Sequence, residues 1–338
     1  MKTAVMTKPG AIAFREEPLP EPGAGQVRIR IRRIGVCGSD VHVFHGRHPF
    51  TTYPVIQGHE FSGLVEKRGP GVKALKPGTL VTAIPQEVCG ACAPCRRGDY
   101  HICDRLKVRG FQAPGCAREF FVTEADKVVP LPRTFSLEQG ALVEPVAVAV
   151  HAVARAGRLA GRNVAVLGAG PIGNLVGQAA RARGAEVLIT DLSPFRLGVA
   201  RKCGLRHVSN AAREGLAEAS RRVFGRRGFD VAFECAGAGA SLDAAVSAVA
   251  KGGTIVVVGV FGERPRVDVG LVQDRELSLV GTLMYRRPDF VEAVRLMRRG
   301  DIATGPLESR HFPFERYLDA YRHVEDKGER CLKVFVDL

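Results

Sequence analysis

Asn163-Val-Ala-Val-Leu-Gly168-Ala-Gly170-Pro171-Ile172-Gly173 decides the architecture of the middle of this chain. A short apolar run meets three spaced glycines, and Asn174 to Arg183 then has helical character. A glycine triplet alone carries little weight. Strand, glycine turn and helix in that order carry far more, because a dinucleotide-binding unit needs all three in sequence. Gly168 permits the tight turn, Gly170 lets backbone approach a pyrophosphate, and Gly173 allows helix and strand to pack closely. Pro171 and Ile172 open the helix, whose free N–H groups and positive dipole end suit phosphates. A second apolar run, Glu186-Val-Leu-Ile-Thr190, ends in Asp191, eighteen residues after Gly173. A carboxylate there accepts the adenosine ribose hydroxyls and repels a 2′-phosphate, which favours NAD over NADP. Arg196 is a nearby cation that could partly accommodate a phosphate; its other roles would be stacking on adenine or surface pairing.

Downstream the alternation continues. Asp230-Val-Ala-Phe-Glu234 reads as a strand followed by Cys235-Ala-Gly237, and Thr254 to Val260 and Glu276 to Val280 read as further strands. Helical patterns lie between them at about Pro194–Cys203, Ala212–Phe224 and Ser241–Ala250. Strands separated by such helices imply an α/β fold with a doubly wound parallel sheet. Ligands bind outside the carboxyl ends of its strands, which places Val258, Gly259 and Val260, and Thr282, Leu283 and Met284, beside the nicotinamide half. The first 150 residues differ: short β-rich runs at Gln26–Arg33, Gly63–Lys67, Thr79–Ile84, Phe120–Val122 and Lys127–Pro130, separated by Gly/Pro turns, suggest a barrel-like antiparallel domain.

Inside that domain stands Cys89-Gly-Ala-Cys92-Ala-Pro-Cys95, followed by Cys103. Four cysteines in fifteen residues, with two residues between successive members of the first three, suit one tetrahedral zinc ion better than disulfides. An all-sulfur site is closed, so it braces a loop and performs no chemistry. Cys37 and His59 are also good zinc donors, but their separation of 22 residues leaves it to the fold to bring them together. A chain of 338 residues can bury two cores. Its formal charge is +14, from 49 basic and 35 acidic residues, yet the arginines are scattered with no interleaved aromatics. An anionic cofactor or substrate and a solvated basic surface fit this better than specific nucleic-acid binding. No run of about 18 uninterrupted apolar residues and no basic-then-apolar leader is present, so no membrane partner is expected and a cytoplasmic location is.

Gly35-Val-Cys37-Gly-Ser39-Asp40-Val-His42, Gly58-His59-Glu60, the four-cysteine run, Glu144-Pro145 and the glycine turn follow one another in this order. Together they resemble the zinc-dependent medium-chain dehydrogenase/reductase family over essentially the whole chain. Glu144-Pro-Val-Ala-Val-Ala-Val-His151 and Asp230-Val-Ala-Phe-Glu234-Cys-Ala-Gly237 are most similar to its polyol branch: sorbitol, butanediol, sugar-acid and threonine dehydrogenases. The resemblance implies a GroES-like catalytic domain over residues 1–150 with a structural zinc lobe at 86–106. It also implies a Rossmann NAD-binding domain over 151–284, and a segment 285–338 that returns to the catalytic domain.

It further implies two zinc ions per chain. Cys89, Cys92, Cys95 and Cys103 would hold the structural one, Cys37 and His59 the catalytic one. A carboxylate from Glu60 or Glu144 would complete the catalytic shell, directly or through water; Glu144 stands where other alcohol dehydrogenases of the family place a cysteine. The open metal position would take a substrate hydroxyl and lower its pKa, and hydride would leave the carbinol carbon for the nicotinamide. Ser39 matches a hydroxyl that contacts the substrate oxygen, and His42 would pass the proton on through the cofactor ribose. Asp40 would hold the His59 tautomer. His45 and His48 fall in the loop Phe44–Pro54 that borders the substrate pocket, and Cys116 reads as an inert buried thiol. The implied reaction is oxidation of a secondary alcohol of a polyol or sugar acid to the ketone, with NAD. Arg286 and Arg287 follow Met284 and Tyr285, near where sorbitol dehydrogenases tend to carry a sugar-binding arginine, and either substrate charge remains open. The alternative is a non-catalytic nucleotide-binding scaffold of the same fold, against which stands the full donor set. The family forms dimers or tetramers.

Overall fold

The computed structural model describes every residue from Met1 to Leu338. The chain divides into two compact units, one of Met1–Glu144, Arg286–Val294 and Glu308–Leu338, the other of Pro145–Tyr285 and Arg295–Leu307.

The second unit is built on six parallel strands. Their spatial order is His207–Asn210, Glu186–Asp191, Asn163–Leu167, Val231–Glu234, Thr254–Val257 and Ser278–Gly281. Chain order reverses between Asn163–Leu167 and Val231–Glu234, and a crevice for a dinucleotide opens beyond the carboxyl ends at such a point. Ala165, Phe229, Ala232, Val246 and Ile255 belong to the core on which this sheet rests. The strands depart from the sequence pattern in places; the one read at Glu276–Val280, for instance, runs Ser278–Gly281. His207–Asn210 is a half-buried edge strand with too few apolar residues to register as one. The run from Thr254 stops at Val257 because the N–H groups of Val258 and Gly259 both turn to the Glu234 carbonyl, at 2.8 Å each.

The first unit carries a seven-stranded sheet. Glu308–Pro313, Lys333–Asp337, Gln26–Gly35, Glu60–Arg68, Leu80–Ala83 and Val128–Pro130 lie in that order, and Phe120–Glu124 also pairs with Gln26–Gly35. Strict alternation in Val27-Arg-Ile-Arg-Ile31 sends Val27, Ile29 and Ile31 into the core. Arg28, on the other face, pairs with Glu21 and Glu66. The register sets Gly35 opposite both Glu60 and Phe335, so the end of Gln26–Gly35 is flanked by the start of Glu60–Arg68 on one side and by the C-terminal strand on the other. Leu137–Arg155 is a 19-residue helix that the sequence pattern leaves unassigned. It is the one helix long and apolar enough to cross a membrane, and most of it is buried in the fold. A helix apolar on all sides shows no stripe by which periodicity could identify it.

Candidate active site

Cys37 lies two residues past the end of the strand Gln26–Gly35 and caps the helix Gly38–Phe44. Asp40, fully buried, accepts the Cys37 N–H through Oδ2 at 3.0 Å and so fixes the turn that presents the sulfur. Its other oxygen lies 3.5 Å from His59 Nδ1, an ion-pair distance without hydrogen-bond alignment. With Nδ1 on the Asp40 side, Nε2 is the nitrogen left for a metal. The donor atoms of Cys37, His59 and Glu60 lie within 4.8 Å of one another. Burial pushes the His59 pKa down, but the nearby Asp40 carboxylate and Cys37 sulfur outweigh it, and the net shift is well upward. An environment that favours positive charge at this point, lined by sulfur, nitrogen and oxygen donors, fits zinc.

Glu60 has a partner that sequence reasoning missed. Lys333 Nζ donates to both carboxylate oxygens, at 2.8 and 2.6 Å, and touches the Val36 carbonyl at 3.4 Å. Both side chains are buried. Gly35 explains how the carboxylate reaches across: a Cβ at that position would collide with Glu60 Oε2. Glu144 is buried on the helix Leu137–Arg155, outside the three-donor group but close enough for its charge to help raise the Lys333 pKa.

Behind the metal donors a buried chain of hydrogen bonds continues. Gln57 Nε2 donates to the Asp40 carbonyl and Oδ1 at 3.3 and 3.4 Å, and Tyr321 OH donates to Gln57 Oε1 at 2.8 Å. Phe111 packs on the His59 ring at a centroid distance of 5.0 Å, and His48 stacks on Phe111 at 4.7 Å. His45 instead pairs with Glu325 at 2.9 Å. Ser39 is half-buried and His42 exposed; three residues apart, they share a face of the helix. Cys116 lies buried behind Gly58, and burial pushes its thiol pKa up, so it stays inert.

The four cysteines converge. Sγ of Cys103 lies 3.6 Å from that of Cys89 and 3.8 Å from that of Cys92. A tetrahedron with sulfurs about 2.3 Å from zinc has edges of about 3.8 Å. Backbone N–H groups of Cys89, Cys92 and Arg105 donate to these sulfurs. Donors from Ala91 and Cys92 pull the Cys89 pKa down to about 6, whereas desolvation and the neighbouring sulfurs push Cys95 up to about 12. Thiolates this close repel one another, and a dication at their centre removes the conflict. The cluster fits a structural zinc.

In the second unit Gly168 adopts φ +102° and Gly170 caps the helix Pro171–Ala182, with Pro171 first and Ile172 second. Nothing lies within 4 Å of a Cβ built on Gly170, so the backbone there is open to a ligand; a Cβ on Gly173 would collide with the Gly168 carbonyl. Asp191 accepts the Ala169 N–H at 2.6 Å and the Ser193 N–H at 2.8 Å, which locks its carboxylate beside the glycine turn. Arg196 sits half-buried in the first turn of the next helix. Val258 and Gly259 follow their strand as a loop, and Val260 is exposed. Thr282 Oγ1 is buried without a hydrogen-bond partner, Leu283 is exposed, and Met284 adopts φ +53°. Arg287 is committed elsewhere: its guanidinium donates to the carbonyls of Asp126 and Val128, and its N–H to Tyr100 OH at 2.6 Å. Arg286 lies 3.8 Å from Asp99 and is partly exposed.

Residues 23–133 match the family described as alcohol dehydrogenase GroES-like domain, and residues 171–299 match the zinc-binding dehydrogenase family. The chain is 34% identical over 317 residues to the 2-dehydro-3-deoxy-L-galactonate 5-dehydrogenase of Pseudoalteromonas atlantica, covering 94% of this chain and 92% of that one. It is 35% identical over 324 residues to the sorbitol dehydrogenase of Homo sapiens, covering 94% and 90%. A solved zinc-binding dehydrogenase of Sinorhizobium meliloti, bound to NADP, superposes with a TM-score of 0.92 at 30% identity, covering 100% of this chain and 99% of that one. With a closed four-cysteine cluster, an open Cys/His/Glu cluster and a glycine-turn parallel sheet in one polypeptide, the chain belongs to the zinc-binding medium-chain alcohol dehydrogenase family and is a zinc-dependent alcohol or polyol dehydrogenase.

Proposed function

We propose that the protein oxidises a secondary alcohol of a polyol or sugar acid to the ketone and passes the hydride to NAD. The convergence of Cys37, His59 and Glu60 behind the helix that carries Ser39 and His42 supports this reading most directly. Cys37 and His59 hold the catalytic zinc, with Glu60 or Glu144 completing the shell directly or through water. Zinc, when bound, supplies Lewis acidity that makes the substrate hydroxyl a stronger acid. Asp40 fixes both Cys37 and His59, and Ser39 orients the substrate oxygen. His42, exposed on the same helix face, carries the proton toward solvent. NAD is favoured over NADP because Asp191 keeps a carboxylate where a 2′-phosphate would lie. A homo-oligomer, dimer or tetramer, is supported by the exposed edge strand Ser278–Gly281.

Arg287 is tied to backbone carbonyls and Arg286 faces Asp99, which favours a neutral polyol over a sugar acid. The sugar-acid reading is kept by the similarity to the galactonate enzyme and by the partial exposure of Arg286. Reduced-cofactor absorbance with NAD or NADP, across polyols and sugar acids, with and without a chelator, tests all of this. Chelator-sensitive turnover with NAD on one substrate class is expected. Preference for NADP would remove the Asp191 argument, and silence in both directions would sink the reading.

The relay makes its own prediction. His42→Ala should lower kcat/KM for alcohol oxidation by on the order of a hundredfold near neutral pH. The loss should shrink as pH rises, because bulk base then replaces the missing imidazole. A pH profile parallel to that of the unmodified protein would exclude His42 from the proton path.

A further inference from the structure

Glu234 is the last residue of the strand Val231–Glu234, and its side chain is fully buried. No lysine, arginine or histidine pairs with it. Its carboxylate is instead filled by local donors. Oε1 accepts the N–H groups of Ala236 and Gly237, at 2.9 Å each, and the Ser241 hydroxyl at 2.6 Å, while Oε2 takes a second contact from Gly237 N–H at 3.2 Å. The Glu234 carbonyl holds the N–H groups of Val258 and Gly259. One residue therefore ties the 235–237 turn, the first turn of the helix Gly239–Ala248 and the loop after Thr254–Val257.

What these segments touch gives the arrangement its meaning. A Cβ on Gly168 would stand 2.9 Å from Ala236 N and 3.1 Å from Ala236 Cα, so the 235–237 turn forms one wall of the glycine turn. A Cβ on Gly259 would collide with Gly237 and stand 2.7 Å from Glu234 Oε2, so the 258–260 loop packs directly on the 235–237 turn. Cys235 N–H donates to the Leu167 carbonyl at 2.8 Å, which stitches the turn to the strand feeding Gly168. All of this sits at the topological switch point, where a dinucleotide crosses the sheet. A buried carboxylate without a counter-cation is costly unless donors surround it. Here the donors are the backbone of the wall itself, so the charge and the wall conformation require each other.

We propose that Glu234 is a positioning residue for the nicotinamide cofactor: its carboxylate shapes the 235–237 turn and the 258–260 loop into the walls against which the cofactor is held beside Gly168. The proposal rests on the reading of the protein as a nicotinamide enzyme. Its test therefore begins with NADH fluorescence titration of the unmodified protein. Binding there establishes that reading independently of any result from the Glu234 and Ser241 variants.

Glu234→Gln keeps the shape but turns an amide N–H toward N–H donors. NADH affinity should weaken on the order of tenfold or more, because charge-assisted bonds are lost and a buried donor is left unpaired. The KM for the alcohol at saturating cofactor and the zinc content should stay within about twofold. Ser241→Ala, which removes one donor and leaves the carboxylate, should weaken NADH by roughly threefold, and it serves if the glutamine variant does not fold. Weaker NADH binding with unchanged alcohol KM supports the assignment. Unchanged NADH affinity in folded Glu234→Gln, or in Ser241→Ala where the first does not fold, overturns it, as does an equal loss of alcohol affinity.

Discussion

Replacing Cys37 by serine should lower kcat/KM for alcohol oxidation by at least about a thousandfold while one zinc stays bound per chain. A serine hydroxyl remains neutral at a position where a thiolate would bring both charge and soft-donor affinity. His59 cannot compensate alone, since a single imidazole holds zinc weakly. Glu60 cannot move freely to help, because Lys333 occupies both of its oxygens. Cys103→Ser supplies the contrast. It opens the four-sulfur cluster, whose members lie 3.6 to 3.8 Å apart, and should remove the other ion. The damage there should appear first as lost thermal stability, because that cluster has no open position for a substrate. Metal analysis by mass spectrometry, read beside steady-state kinetics, separates the two. Near-normal turnover by Cys37→Ser, or two zinc ions retained in it, would remove Cys37 from the catalytic shell.

The difference between these sites is also a difference in how each could be read from sequence. Cys89, Cys92, Cys95 and Cys103 declare themselves because short spacing fixes their geometry almost without a fold. The turn from Gly168 to Gly173 does the same, since strand, turn and helix are consecutive. Cys37 and His59 are intermediate: their chemistry is visible, but only the pairing of Gln26–Gly35 with Glu60–Arg68 brings them together. Lys333 lies 273 residues from Glu60, in a strand of valine and phenylalanine, and no local pattern could connect the two. Tyr321 and Gln57 are 264 residues apart and equally silent. Arg287 misled in the opposite direction, since its position suggested a substrate contact whereas its guanidinium braces the backbone at Asp126 and Val128. The long helix Leu137–Arg155 escaped because burial on every side erased its stripe.

Lys333→Met should destabilise the first unit by about 3–5 kcal/mol, the usual cost of leaving one member of a buried ion pair without its partner. The methionine fills the space of the lysine stem, so the loss isolates the ammonium from the packing of its chain. Glu60→Gln added to that variant should restore much of the stability, because the charge left stranded is then gone. Chemical denaturation of the three proteins measures this, and a double variant no more stable than Lys333→Met would refute the pairing as the cause. The pH dependence has a definite sign. Burial pulls the Lys333 pKa down, but the Glu60 and Cys37 charges and the bond to Glu60 push it further up, and the net value lies above the ordinary 10.5. A raised pKa means that the pair stabilises fully below about pH 10.5 and loses its contribution as pH climbs through the folded value. The unmodified protein should therefore weaken on that alkaline limb, while Lys333→Met should be flatter across it. Metal adds the final test. Once the ammonium is removed, a dication bound at the Cys37, His59 and Glu60 donors would become the principal positive charge near Glu60. Chelation should then lower the stability of Lys333→Met more than that of the unmodified protein, in which Lys333 still answers the carboxylate.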